Sequence, residues 1–244
     1  MVLMAGRAIG GGMGQKLLGM ARPDFGTEII YAFIIIVCSL MIYFGTKELY
    51  KLSSHKGIKY FRQAFLFFAL AYFVRFFIKF LLISFNVINI FDVHSRVFFL
   101  GIGQITLFAF MYLSSMAIFY LLYSVLWKRL EEKSKRIYLF HILAIIIASL
   151  SILFRDPLMH LSLNIILLIF VTLTFYASKK KSKRKKGKHN LQIVYTLLFV
   201  FWIINTIDIV VPRFFQTFQL FIYLASSAIF LIILYKVLRK TGST

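Results

Sequence analysis

Two cations stand deep inside an apolar stretch of this chain: Arg75 and Lys79, both within residues 60–85. Four residues apart, they project from one face of a helix. A charge at the centre of a bilayer costs roughly 2.5–3.5 kcal/mol by insertion scales, so such side chains turn toward a bundle interior or a water-filled cavity. Acids available at a similar depth are Asp208 and Glu28, and Gln104 and Asn205 can supply neutral hydrogen bonds. These six residues form the candidate binding group, a positively charged cavity suited to a small anionic or lipid-like ligand. The architectural alternative is that Arg75 pairs with Asp208 to join two helices while Lys79 snorkels to the headgroups.

The densest charge is the run KKKSKRKKGKH at 179–189. Its bases (Lys179, Lys180, Lys181, Lys183, Arg184, Lys185, Lys186 and Lys188) suit anionic lipid headgroups, at about 1 kcal/mol per base near the surface. No aromatic residue is interleaved to stack bases, so nucleic acid is not expected as a partner. The same block also acts topologically, holding its loop in the cytoplasm.

Other chemistry is sparse. His141 and His160 fall at opposite ends of their apolar stretches, which does not suit axial haem ligation. His94, His160, Asp92, Asp156 and Asp208 share one side, but they come from separate connections with no ligand spacing to unite them. HExxH, GxSxG and paired intramembrane aspartates are missing, and Cys38 reads as packing inside an apolar stretch. Ser114–Ser115 and Ser226–Ser227 read as small pairs that let helices approach closely. Neither catalysis nor a cofactor is expected.

The elements that must position these residues are plain from composition. The chain has 244 residues, 61% hydrophobic and only 15% charged, with 29 Lys+Arg against 8 Asp+Glu. That balance excludes a soluble enzyme, a disordered tail and a disulfide-stapled secreted domain. The apolar residues gather into seven blocks, at 28–45, 60–85, 97–127, 137–154, 157–178, 191–211 and 214–238. About twenty such residues cross a hydrocarbon core of about 30 Å. Pro157 suits the first turn of the fifth block, after a short hairpin turn at Arg155 and Asp156.

Bases crowd the connections after the first, third and fifth blocks and the region from Lys236 onward, whereas the opposite side holds only Arg7, Lys16, Arg22, Arg96, Arg155 and Arg213. The positive-inside rule then predicts an all-α polytopic membrane protein with seven transmembrane helices, N-terminus outside and C-terminus cytoplasmic, multi-pass in the cell membrane. Its parts are a Gly-rich extracytoplasmic tail over 1–27, the bundle over 28–240 and a short cytoplasmic tail over 241–244. Gly10, Gly11 and Gly12 match no phosphate-loop pattern. His55 and His189, placed in cytoplasmic connections, read as solvated, and the third block is expected to continue as a helix toward a cytoplasmic partner.

Retinal proteins are excluded because Lys236 lies at the end of the seventh block, and the end of the third, SVLWKRLEE, lacks the acidic–Arg–Tyr signature of G-protein-coupled receptors. In outline the chain resembles stand-alone versions of the seven-helix sensor domains attached to prokaryotic signalling kinases. That likeness is one of topology, which does not by itself give function. The leading expectation is a non-enzymatic sensor or receptor whose basic loops meet membrane lipid or a cytoplasmic signalling partner. A transporter or channel is the main rival, although neither an internal repeat nor a broken mid-membrane helix is visible. A structural subunit of a larger membrane complex is the third reading.

Overall fold

The computed structural model describes residues 25–84, 95–130, 136–154, 157–183, 189–210 and 216–241. Seven helices occur among them: α1 (Phe25–Ser53), α2 (Lys56–Ser84), α3 (Ser95–Leu130), α4 (Arg136–Leu153), α5 (Pro157–Lys183), α6 (His189–Val210) and α7 (Gln216–Thr241). Each apolar block becomes one helix. Five of the helices, α1, α2, α3, α5 and α7, are long and apolar enough to cross a membrane. The described apolar stretches of α4 and α6, Ile137–Leu153 and Gln192–Ile207, are shorter. Pro157 does open α5, as its missing N–H favours.

The helices run well past the apolar blocks at the lysine-rich end. α1 continues through Lys47 and Lys51 to Ser53, and α5 continues through Lys179, Lys180 and Lys181 to Lys183. Hydropathy marks where lipid ends, and backbone hydrogen bonding does not stop there. At 36 residues, α3 is about 54 Å long at 1.5 Å per residue, well beyond a bilayer core.

The first connection is correspondingly tight. Only Ser54 and His55 separate α1 from α2. Ser54 takes a left-handed φ of 47° and its N–H donates to the Tyr50 carbonyl at 2.8 Å. His55 corrects the expectation of a solvated loop residue: it is half-buried, with its ring edge-on to Trp127 of α3 at 4.9 Å. Gly57 explains how α2 starts so close to α3, since a Cβ there would stand 2.9 Å from the Ser124 carbonyl oxygen.

Six helices form a closed ring in the order α1, α2, α3, α5, α6, α7 and back to α1, while α4 stands outside it, packed mainly on α3. Such a ring leaves a central space that backbones cannot fill, and aromatic side chains fill it. Phe65 and Phe68 of α2 meet Phe230 of α7, Phe68 also meets Phe201 of α6, and Phe201 packs edge-on to Phe230 at 4.8 Å. Nearer the lysine-rich end, Phe61 meets Tyr195, whose hydroxyl shares a 2.7 Å hydrogen bond with Ser124 Oγ. Phe65, Phe201 and Phe230 are fully buried. Ser115 and Ser226 are buried where helices meet, in keeping with small residues at close-packed interfaces.

Candidate functional site

Burial changes along the bundle axis. On α3 most residues from Met111 to Val125 are buried, whereas none from Gly101 to Phe110 is. On α6 the buried Phe201 and Trp202 give way to half-buried Asn205 and exposed Ile207, and on α1 burial begins at Tyr31 after exposed Ile30. The end opposite the lysines is therefore the looser one, with burial thinning beyond a layer containing Tyr31, Tyr72, Trp202 and Tyr223, although Phe76 on α2 is still buried.

Arg75 lies just beyond that layer. On α2 it shares a face with Ala71, Phe68 and Ala64, at i−4, i−7 and i−11, and all three are buried (0%, 2% and 0% exposed). Arg75 itself is exposed. Arg75 is thus an exposed residue on a helix face whose preceding turns are buried. Its guanidinium lies 5.0 Å from the ring centre of Phe110 on α3 and 5.7 Å from that of Phe76, a cation–π arrangement that a weakly hydrated guanidinium favours. It is also within electrostatic reach of Tyr31 on α1 and His160 on α5.

Beneath Arg75 is a polar–aromatic floor contributed by four helices. The hydroxyls of Tyr31 and Tyr72 are 3.0 Å apart, and Tyr31 donates at 3.5 Å to Asn205 Oδ1. Either hydroxyl can be the donor within the Tyr31–Tyr72 pair. Asn205 Nδ2 in turn donates to the Phe201 carbonyl at 2.8 Å. The result is a hydrogen-bonded chain linking Tyr72, Tyr31 and Asn205. Tyr223 of α7 stacks on Tyr31 at 4.6 Å with an interplanar angle of 11°, and Gln219 Nε2 donates to the Tyr223 hydroxyl at 3.0 Å. Side chains from α1, α2, α6 and α7 are thereby tied together one turn below the cation.

The expected group is thus brought together in part. Asn205 accepts from Tyr31, which is within electrostatic reach of Arg75. Glu28, half-buried, precedes Tyr31 by one turn of α1, and Gln104, half-buried, precedes Phe110 by six residues of α3. Lys79 and Asp208 lie in α2 and α6, one turn beyond Arg75 and about one beyond Asn205, but their side chains are outside the described residues. The tyrosines and Gln219 were not anticipated, because tyrosine in an apolar block also reads as interfacial belt or packing.

Over 219 residues the chain is 35% identical to an uncharacterized protein of Archaeoglobus fulgidus, a match covering 87% of this chain and 92% of the relative. This chain belongs to that protein's family. The shared span takes in nearly the whole of both chains, and the relative's description carries no activity. No family model matches the chain, and no solved structure does.

Elsewhere the expected residues are spread out. Lys179 and Lys180 are exposed at the end of α5, the side chains of Lys181 and Lys183 lie outside the described residues, and so do Arg184, Lys185, Lys186 and Lys188 entirely. His94, Asp92 and Asp156 are outside them as well. His141 is held by a 2.8 Å hydrogen bond between its Nδ1 and the Tyr112 hydroxyl. It borders a shallow recess between α3 and α4 lined by Met116, Phe119, Tyr120, Tyr123, Ile137 and Phe140, an aromatic surface with little to hold a charged ligand.

Proposed function

We propose that this protein is a seven-helix membrane receptor or sensor, with its N-terminus outside and its C-terminus in the cytoplasm, that takes a small anionic amphiphile into an opening around Arg75. The observation that carries this reading is the exposure of Arg75 on a helix face that is otherwise buried. An acid group meets the guanidinium there, charge-assisted and able to bind in two-point fashion, while the rings of Phe76 and Phe110 receive the apolar part. The chain from Tyr72 to Asn205 gives an occupied site a route to α1, α6 and α7. The aromatic packing of the ring centre supports a receptor rather than a standing pore.

The test uses the purified protein and four ten-carbon probes: decanoate, decyl phosphate, decanol and decylamine. Trp202, one turn from Asn205, reports binding by its fluorescence once Trp127 is replaced by Phe. The two anions are expected to change the signal saturably and Arg75→Gln to abolish the change. Equal response to decanol, or an unaltered response in Arg75→Gln, refutes the proposal. Selective flux of the anions through reconstituted vesicles would instead establish the transporter reading.

A further inference from the structure

At the other end of the molecule, α1 and α2 form a hairpin closed by Ser54 and His55. Arg62 of α2 is half-buried in it. Its Nε–H donates to the Tyr43 carbonyl of α1 at 3.0 Å, and its Cζ lies 4.7 Å from the ring centre of Tyr43 and 5.9 Å from that of Tyr50. A guanidinium anchored through Nε presents its two terminal nitrogens as a fork, the geometry that grips an oxyanion at two points.

The surroundings share the same sign. Tyr43 and Tyr50 both face Arg62, so Lys47, at i+4 from one and i−3 from the other, lies on the same stripe of α1. Lys59 precedes Arg62 by one turn of α2, and both lysines are exposed. Glu48 is five residues from Tyr43, about 140° round the helix at 3.6 residues per turn, and points away from the stripe. Three cations and two phenols therefore share one stretch of the hairpin, where the helices leave their apolar blocks.

We propose that this hairpin is a binding site for the phosphate of an anionic phospholipid headgroup, gripped by Arg62 and flanked by Lys47 and Lys59, with the tyrosine rings against the glycerol region. Its residues are distinct from those around Arg75 and from the lysine run at 179–189.

The experiment is native mass spectrometry of the full-length protein in detergent, titrated with phosphatidylglycerol or phosphatidylcholine, with and without millimolar inorganic phosphate. Wild type is expected to retain one phosphatidylglycerol in preference to phosphatidylcholine. Arg62→Gln should weaken this about tenfold, as loss of a charged two-point contact implies. Lys47→Gln and Lys59→Gln remove only exposed charges, leave the fold intact, and should each weaken it about fivefold at low salt. Equal retention of the two lipids, or wild-type retention in the double lysine variant, overturns the proposal. Displacement of the lipid by inorganic phosphate overturns it too, since the site would then serve a free anion.

Discussion

The floor beneath Arg75 can be tested by its hydroxyls alone. Tyr31→Phe keeps the ring, and with it the 4.6 Å stack on Tyr223, but removes an oxygen that joins Tyr72 at 3.0 Å to Asn205 at 3.5 Å. Side-chain hydrogen bonds between membrane helices average about 0.6 kcal/mol and reach about 1.7. The 3.5 Å bond is at the long limit of such contacts, so the Tyr72 bond carries most of the effect. Tyr31→Phe should therefore cost about 0.6–1.7 kcal/mol. Tyr31→Leu also forfeits the stack, worth about 0.5–1.5 kcal/mol, and should cost about 1–3 kcal/mol. Reversible unfolding in mixed micelles measures both. The decisive measurement is the double-mutant cycle of Tyr31→Phe with Tyr72→Phe: a coupling of about 0.6–1.5 kcal/mol is expected for a direct bond. Additive costs would refute the Tyr72–Tyr31 link, and with it the hydroxyl route from α2 to α1.

Four further outcomes follow from the packing. Gly57→Ala places a Cβ 2.9 Å from the Ser124 carbonyl and should cost about 1–3 kcal/mol, as overpacking against rigid backbone does. Gly45→Ala meets only Leu238 Cδ2, at 2.7 Å, the far end of a flexible side chain, so its cost in the same unfolding assay should stay below about 1 kcal/mol. Phe230→Ala empties the fully buried ring centre and should cost about 3–5 kcal/mol. Ser54→Gly relieves the left-handed conformation at φ 47° and should leave stability unchanged or raise it by up to about 1 kcal/mol.

The seven helices could be read from the sequence because transfer free energy is nearly additive over a block of residues, so twenty apolar side chains declare themselves without knowledge of their neighbours. The same quantity is silent about where helices stop, which is why α1 overran its block to Ser53 and His55 became a packed turn residue. Arg75 was legible as a cost that needs a reason. Tyr31, Tyr72 and Tyr223 were not, since only the ring of helices decides which tyrosines meet. The 29 phenylalanines had no assigned role until Phe65, Phe68, Phe201 and Phe230 were seen to fill the centre of that ring.

Whether Arg75 serves architecture or a ligand is then a question with opposite numerical answers. A cation kept to join helices through a buried ion pair leaves an uncompensated charge when removed, at about 3–5 kcal/mol. A cation exposed in an opening, resting on Phe76 and Phe110 at 5.7 and 5.0 Å, forfeits about 0.5–1 kcal/mol of cation–π attraction. It also releases whatever desolvation it suffered. Arg75→Gln should accordingly change unfolding free energy by less than about 1 kcal/mol while abolishing the response to decanoate and decyl phosphate. Arg75→Lys keeps the charge but loses the flat fork, and should retain stability with weakened binding. A loss above about 3 kcal/mol in Arg75→Gln would place the residue among the struts of the bundle. The exposure of this single inward-facing side chain would then mark a seam between helices, with no ligand to explain it.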